Sequence, residues 1–384
     1  KISDVEIFLQ GDNNNINTKE FKKYFINQKG IIKDQIINLN SNFLINFSID
    51  ETFNIKNLTL KSDLNLDNLE INYKSNLIKK YLANYEDKIA IKNPNILFEY
   101  SNDIINLQLD GKYLLKNKED NFFVKFKGSK NNFELYSLLN LDNCILDIPY
   151  IKYYKKNNIP SELEILINNS TKGLNLERIR FRENNNYINV KNLNISENYK
   201  IQSVDEIDVN FLKKKDVKNN FKIKKNSTSY NFIGNQIYGE DFVERILRGN
   251  DKIKFHKFFE NINTSVNLNL NKVYLEKNSF LHNVVGEFDF KNNKLILASV
   301  NAILNNKKKF SYSYRTTAKN EKITNILIEE PKPFINNYKF IKGFEEGELK
   351  LNAIKIDNVS RSNLKINNFK VKEVPVLAKI LTLA

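Results

Sequence analysis

The sequence predicts an all-β chain with a few short helices, built on a long, curled, mostly antiparallel β-sheet that forms an open groove. Three observations predict it. Apolar and polar residues alternate along most of the chain, which is the period of a β-strand. Polar turns rich in Asn, Asp, Lys and Ser separate the alternating segments. Stretches with helical spacing are short and sparse, although 41% of the residues are hydrophobic.

The alternating segments place their apolar residues on one face. The stretch "NFLINFSID" puts Phe43, Ile45 and Phe47 on the same side of a strand. The stretch "SVNLNLN" does the same with Val266 and Leu268, and asparagines fill the other side. We therefore expect strands with one apolar and one polar face.

Two pairs of strands have clear hairpin signals. "EFDFKNNKLILASV" predicts a hairpin that turns at Asn292 and Asn293. "LDGKYLL" and "NFFVKFKG" predict a second hairpin, joined near residues 116–120. Because few connections could hold a crossover helix, we expect an antiparallel meander.

Helical spacing is confined to five places. We predict helices over residues 18–28, with Thr18 as the cap, and over residues 131–140, 241–248 and 331–344. A fifth apolar helix begins after Pro375. Gly249 ends the third of these helices, and Pro331 opens the fourth.

A repeated step breaks the strand alternation at four places. The form is apolar, any, Asn, apolar, any, apolar, and it occurs as "IKNLTL", "LDNLEI", "VKNLNI" and "INNFKV". One interpretation is a β-bulge, which adds a residue and bends the strand, since Asn accepts left-handed backbone. The other is a tight turn or a brief break in the strand. The sequence favours neither.

Composition limits the class of protein. No run of 18 apolar residues occurs, so nothing in the sequence is expected to span a membrane. The single cysteine, Cys144, excludes an internal disulfide framework. The chain starts at Lys1 and has no Met, so we expect it to be an interior piece of a longer protein. The net charge is +15, with short lysine runs near predicted turns that read as solvated loops or as attraction to an anionic surface.

Motifs for catalysis are missing from the sequence. The two histidines, His256 and His282, have no metal-ligand spacing, and no Gly-rich phosphate loop or Gly-x-Ser-x-Gly elbow occurs. Adjacent carboxylates such as Glu329 and Glu330 would point apart in a strand. We expect no enzyme, no cofactor and no metal, and the lack of a basic helix or an RNP-type motif argues against nucleic acid.

The last third of the chain resembles a known family. "INTSVNLNLNKVYLEKNSFLHNVVGEFDFKNNKLILASVNAIL" and "LKINNFKVKEVPVLAKILTLA" are similar to the AsmA-like family of bacterial envelope proteins. The second stretch matches the family's strand that leads into an apolar-Pro-Val-Leu-Ala helix start, through Val374, Pro375, Val376 and Leu377. The resemblance divides the chain into a central β-groove region, residues 1–254, and an AsmA-like C-terminal region, residues 255–384, truncated at its helix.

The resemblance implies a location and partners. It implies a periplasmic protein of a diderm bacterium, anchored to the inner membrane through a segment outside this chain. The implied partners are phospholipids, the membranes at both ends of the full-length protein and, further, envelope proteins. It implies a bridge that conducts phospholipid between the two membranes, with no catalytic residue or cofactor.

The alternating pattern and the resemblance together predict a lipid groove. An apolar sheet face must be covered either by a second protein layer or by a ligand. The residues that we predict to line the groove are Phe43, Ile45, Phe47, Leu64, Leu66, Ile188, Val190, Val266, Leu268, Leu270, Leu349, Leu351, Leu364 and Ile366. The alternative for these positions is an ordinary sandwich core. The alternative functions are a non-transporting envelope scaffold and, third, a surface adhesin.

Overall fold

The predicted fold class, an all-β chain built on a long, curled, mostly antiparallel sheet, is confirmed by a computed structural model. The structure describes residues 3–19, 32–129, 132–148, 153–170, 173–212, 217–239, 261–276, 279–304, 307–335, 344–357 and 359–371. Contacts divide the chain into two compact units, residues 1–197 and residues 198–384. Each unit is described by itself below. The division at residue 254 stays a prediction.

Unit 1 is a meander of long antiparallel strands. Its strands are β1 (Ser3–Asn17), β2 (Ile36–Ile49), β3 (Ile55–Leu66), β4 (Asn68–Asn72), β5 (Lys88–Ser101), β6 (Ile104–Leu115), β7 (Lys118–Gly128), β8 (Phe133–Asn140), β11 (Ser161–Ser170), β12 (Gly173–Glu183) and β13 (Asn186–Ser196), with the separate hairpin β9 (Leu146–Ile148) and β10 (Tyr153–Lys155). One short helix, α1 (Asn76–Tyr81), follows β4, and the Ser75 hydroxyl caps it by accepting a hydrogen bond from the Ile78 amide.

Unit 2 has the same strand-rich build, with one parallel step. Its strands are β14 (Ile201–Ser203), β15 (Glu206–Leu212), β16 (Lys218–Asn226), β17 (Ser229–Tyr238), β18 (Thr264–Glu276), β19 (Ser279–Lys291), β20 (Lys294–Leu304), β21 (Lys309–Thr316), β22 (Lys322–Ile328), β23 (Phe344–Ile356) and β24 (Val359–Val371), and its helix is α2 (Lys332–Ile335). Strands β17 and β18 pair in parallel, which is consistent with a sheet predicted to be mostly antiparallel.

Both predicted hairpins are confirmed, and their turns use left-handed backbone without glycine. Strands β19 and β20 turn at Asn292 (φ 49°) and Asn293 (φ 61°). Strands β6 and β7 turn at Lys116 (φ 48°) and Asn117 (φ 65°). Two consecutive residues with positive φ form the turn whose twist matches that of a hairpin.

The helix predictions fare less well. Residues 133–140 form strand β8, so the helix predicted over residues 131–140 is wrong. Of the helix predicted over residues 331–344, the structure contains α2, and strand β23 already begins at Phe344. The helices predicted over residues 241–248 and after Pro375 lie outside the described residues, as does nearly all of the one over residues 18–28.

Candidate functional site

In unit 1 an unbroken row of side chains crosses ten strands. Each residue of the row is the registered partner of the next, from β1 to β13. The row consists of Leu9, Phe43, Ser62, Phe98, Leu107, Phe126, Leu135, Ile167, Leu176 and Leu193. Only Ser62 is polar. Because neighbouring strands lie about 4.8 Å apart, the row runs on the order of 40 Å along the sheet.

A second row lies beside the first on the same face, two residues along β2. It consists of Ser41, Leu64, Ile96, Leu109, Val124, Ser137, Ile165, Ile179 and Val190. We call these two rows, with the flanking row through Ile45, Leu60, Tyr100 and Ile105, the apolar face of unit 1. Most of its side chains are half-buried rather than closed off from solvent.

The opposite face of unit 1 carries the charged side chains, with some apolar residues such as Phe123 and Leu138 among them. The Glu164 carboxylate pairs with Arg178 at 3.2 Å and with Arg180 at 3.3 Å. The Lys61 amine pairs with the Glu99 carboxylate at 3.4 Å. These pairs cross between neighbouring strands, where opposite charges on one sheet face attract. The two faces therefore differ as the alternation predicts.

The seven predicted groove residues of unit 1 lie on or beside its apolar face. Phe43 is in the first row, and Leu64 and Val190 are in the second. Ile45 is in the flanking row, where it pairs with Leu60 and with Ile7. The remaining three residues are Phe47, Leu66 and Ile188, which pair with Val5, Leu39 and Phe181 respectively. All seven are half-buried.

In unit 2 the sheet face that carries the predicted groove residues is packed against protein. A contiguous cluster of buried residues runs over β18 to β22 and includes the helix residue Phe334, whose ring stacks on Phe310 at 5.2 Å between centroids. One registered row of this face consists of Leu268, Gly286, Val300, Tyr312, Ile326, Leu351 and Leu364. Val300, Tyr312 and Ile326, in the middle of the row, are buried. Leu364, at its end, is 54% exposed.

The seven predicted groove residues of unit 2 divide by strand. Leu268 is 8% exposed and Leu270 is 1% exposed, so both are core positions of the buried cluster. Leu349 and Leu351 on β23 are half-buried and pack against that cluster. They pair with Ile366 and Leu364 on β24. The seventh, Val266, is half-buried on β18, opposite Phe288.

The recurring Asn step has a structural explanation. Asn57, Asn192 and Asn368 are left-handed, with φ of 54°, 49° and 53°. At Asn57 the register of β2 and β3 shifts, so Asn57 and Leu58 together face Phe47, which is a β-bulge. The fourth step is a break, since β3 ends at Leu66 and β4 begins at Asn68. Both interpretations of the step therefore occur in this chain.

The bulge keeps apolar residues on one face. Ile55 and Leu58 are three residues apart and would face opposite sides of a regular strand. The extra residue at Asn57 reverses the alternation, and Ile55, Leu58 and Leu60 all lie on the apolar face, opposite Ile49, Phe47 and Ile45. Val190 and Leu193 are likewise three apart, and both belong to the apolar rows.

A second feature, which alternation could not reveal, covers one end of this apolar face. Residues 141–148 and 153–160, which include the hairpin β9 and β10, lie between β8 and β11, and we call them the cap. Tyr153 is buried in the cap, its ring meets the Phe181 ring edge-on at 5.6 Å, and its hydroxyl donates to the Glu183 carboxylate. The Asn143 amide donates to Asp120 at 3.0 Å.

The centre of the cap is a fully buried lysine. The Lys155 amine is 0% exposed and donates to the carbonyls of Leu141 (2.7 Å), Cys144 (2.9 Å), Asp142 (3.1 Å) and Lys156 (3.1 Å). Burial lowers the pKa of Lys155. Four carbonyl dipoles satisfy the ammonium, which otherwise would be costly to bury.

Burial also shifts the other titratable groups around the cap. It raises the pKa of the Cys144 thiol to about 11, and it raises the pKa of the Tyr113 hydroxyl. It raises the pKa of the Asp120 and Glu183 carboxyls as well. A thiol with a raised pKa is a poor nucleophile. The same groups make the contacts that hold the cap against the sheet.

An open pocket of about 530 Å³ lies in unit 1. Most of its lining residues, such as Lys61, Lys125 and Leu97, belong by register to the polar face. Four others, Phe43, Ser62, Phe98 and Leu107, belong to the first apolar row. Its lining mixes both signs of charge with the exposed Phe8. We assign no ligand to it.

The described residues provide an apolar surface that can bury hydrocarbon. They contain no group of three His, Cys, Asp or Glu side chains that could hold a metal ion. Within the same ranges, no helix is long and apolar enough to cross a membrane. What the apolar face of unit 1 can do is to exchange water for hydrocarbon, at roughly 0.8 kcal/mol for each methylene buried.

The fold and the side-chain pattern together define an all-β protein with an apolar sheet face in each unit. No family model, no curated protein and no solved structure matches the chain.

Proposed function

We propose that this chain binds phospholipid acyl chains on the apolar face of unit 1. We further propose that it belongs to a bridge of the AsmA-like kind, which supports lipid transport between the inner and outer membranes from the periplasm. The observation that carries the proposal is the registered apolar row across ten strands, most of whose side chains are half-buried. A contiguous apolar surface of this extent is typical of a binding surface.

The mechanism is non-directional burial. Acyl chains replace water over the Phe, Leu, Ile and Val side chains, and a ten-carbon stretch would gain about 8 kcal/mol before the cost of ordering it. No hydrogen bond fixes the chain at one position, so lipid can slide from strand to strand. The rows continue without a polar barrier larger than Ser62 or Ser137, which supports passage along the sheet.

A pair of neighbouring residues tests the proposal. Leu107 lies in the apolar row, and Asn106 precedes it on the opposite, polar face. Leu107→Asp places a charge where hydrocarbon would lie, and we expect it to reduce binding of a fluorescent phospholipid by tenfold or more. Asn106→Asp adds the same charge to the other face and should leave binding unchanged.

The control for folding is the far-UV circular dichroism of both variants. Equal phospholipid binding by a folded Leu107→Asp protein and by the wild type would refute the assignment of this face. If Leu107→Asp does not fold, Leu107→Asn makes the same comparison with a smaller perturbation.

The second candidate is the non-transporting envelope scaffold. The packed cluster of unit 2 favours it, because Leu268 and Leu270 are closed off by protein and leave no surface for lipid. A scaffold needs the same sheet but carries no lipid, so the two functions differ in whether phospholipid co-purifies with the chain.

A further inference from the structure

We infer that the cap fixes the direction in which an acyl chain lies on unit 1. The methyl end of the chain lies against the cap, and the headgroup lies at the opposite ends of the strands. This inference rests on the proposed function, because it specifies how the same face holds its ligand.

The cap touches only one end of the apolar face. Its contacts with the strands include Phe181, Glu183, Tyr113 and Asp120, which lie where β12 ends, β6 ends and β7 begins. By register these residues are on the apolar face, since Phe181 pairs with Ile188 and Asp120 pairs with Tyr113. The cap therefore closes the sheet face at this end, which we call the capped end.

Burial along the strands follows the position of the cap. Phe122 and Phe181, at the capped end, are buried. Val124 and Phe126, further along β7, are half-buried, and Ile105, at the far end, is exposed. The apolar face thus has a closed end and an open end.

Hydrogen bonds hold the cap in place, so that it can stop the methyl end of an acyl chain. The Lys155 ammonium gathers four backbone carbonyls of the cap around one point. A second attachment joins the cap to the segment after α1, where the Asn84 side chain donates to the Asn143 carbonyl (3.0 Å) and accepts from the Ile145 amide (2.9 Å). Opening the cap would break these buried and part-buried hydrogen bonds, and a buried polar group is costly to leave without a partner.

The length of the face fits one acyl chain. From Phe122 at the capped end to Gly128 at the open end there are six residue steps on β7, or roughly 20 Å at about 3.4 Å per residue. One leaflet of a bilayer has a hydrocarbon depth of about 15 Å, half of the usual 30 Å core. A chain laid along the strands with its methyl end at the cap would bring its headgroup to the open end.

The turns at the open end offer polar groups to a headgroup, beside exposed apolar side chains such as Phe53. The turn between β2 and β3 contains Asp50, which accepts hydrogen bonds from Thr52 and Asn54 and pairs with Lys56 at 2.8 Å. The turn between β5 and β6 contains the exposed Asn102 and Asp103. A zwitterionic or anionic headgroup there stays in water, whereas at the capped end it would have to displace the packed cap.

The absence of tryptophan from the sequence permits a direct test. Phe122→Trp places a fluorophore at the capped end, and Tyr100→Trp places one in the flanking row at the open end. Phe123→Trp is the matched control, because Phe123 neighbours Phe122 and lies on the polar face. Each variant is mixed with vesicles of phosphatidylcholine brominated either near the methyl end or near the carboxyl end of one acyl chain, since bromine quenches nearby tryptophan.

The inference predicts opposite orders of quenching. Methyl-end bromine should quench Phe122→Trp at least twofold more than carboxyl-end bromine, and the order should reverse for Tyr100→Trp. Phe123→Trp should respond to neither lipid. The same order at both sites, or the reverse of the predicted one, overturns the inference and leaves lipid binding intact. If neither lipid quenches Phe122→Trp and neither quenches Tyr100→Trp, the proposed function and the inference are both overturned.

Discussion

In this chain asparagine occupies left-handed backbone positions that glycine occupies in many other proteins. The sequence has only 11 glycines in 384 residues. Among the described residues, left-handed non-glycine positions inside strands are Glu346 and six asparagines, namely Asn13, Asn57, Asn93, Asn192, Asn283 and Asn368. Asn adopts left-handed backbone at low cost because its short polar side chain bonds locally. Most other residue types would pay for the same geometry.

The first prediction belongs to this scale. Replacing Asn57 by Ala leaves a Cβ in left-handed backbone without the local bonding of the amide, and we expect it to destabilise unit 1 by about 1 kcal/mol. Asn57→Gly should cost only a few tenths, because glycine accepts positive φ freely. Urea unfolding followed by far-UV circular dichroism measures both.

Asn65→Ala is the control for this prediction. Asn65 is an exposed residue of the same strand and is not among the left-handed positions. A loss at Asn57→Gly as large as that at Asn57→Ala would show that the asparagine side chain, and not the backbone, matters.

The sequence could predict that this step recurs, but not its form. The motif shows that alternation slips by one residue at Asn57 and at Asn68. Whether the extra residue becomes a bulge or a break depends on the register of the neighbouring strand, which is β2 at Asn57. That register is set by long-range pairing, so local sequence does not contain it.

At the scale of elements, a strand can be predicted where the spacing of its apolar residues fits a strand and does not also fit a helix. The hairpin at Asn292 and Asn293 followed from alternation and two turn residues. The helix prediction over residues 131–140 was wrong because the apolar positions of residues 133–140 fit helical spacing as well as alternation. In the structure Leu135 and Leu139 form registered pairs with β7 and β11. The cap could not be predicted, since its strands β9 and β10 have three residues each.

Two leucines on the same face of unit 2 predict different responses to the same substitution. Leu270→Ala removes a side chain that is 1% exposed, and we expect it to lower the free energy of unfolding of unit 2 by about 2–5 kcal/mol. Leu364→Ala, at a side chain 54% exposed, should cost below about 1 kcal/mol. Thermal and urea unfolding of the two variants provide the comparison.

Equal losses at the two positions would contradict the burial seen along this face. Both residues belonged to the predicted groove, and alternation alone could not separate them. What covers a sheet face depends on elements distant in sequence, such as α2 with Phe334 over Phe310.

At the scale of the whole molecule, the fold class followed from composition and alternation, and the site followed in part. Alternation identified which side of each strand is apolar, as Phe43 and Leu64 show in unit 1. It could not show that this side stays half-open in unit 1 and is closed at Leu268 in unit 2. Transport between membranes stays a proposal that rests on the open face and on the resemblance.

The measurement that tests the central claim most directly is the lipid content of the purified wild-type chain. The protein is purified from a bacterial host without added lipid, and native mass spectrometry with organic extraction counts the phospholipid per chain. The account predicts at least one phospholipid per chain, released by extraction and lost in the Leu107→Asp variant. A folded wild-type chain that carries no phospholipid would contradict it and would favour the scaffold.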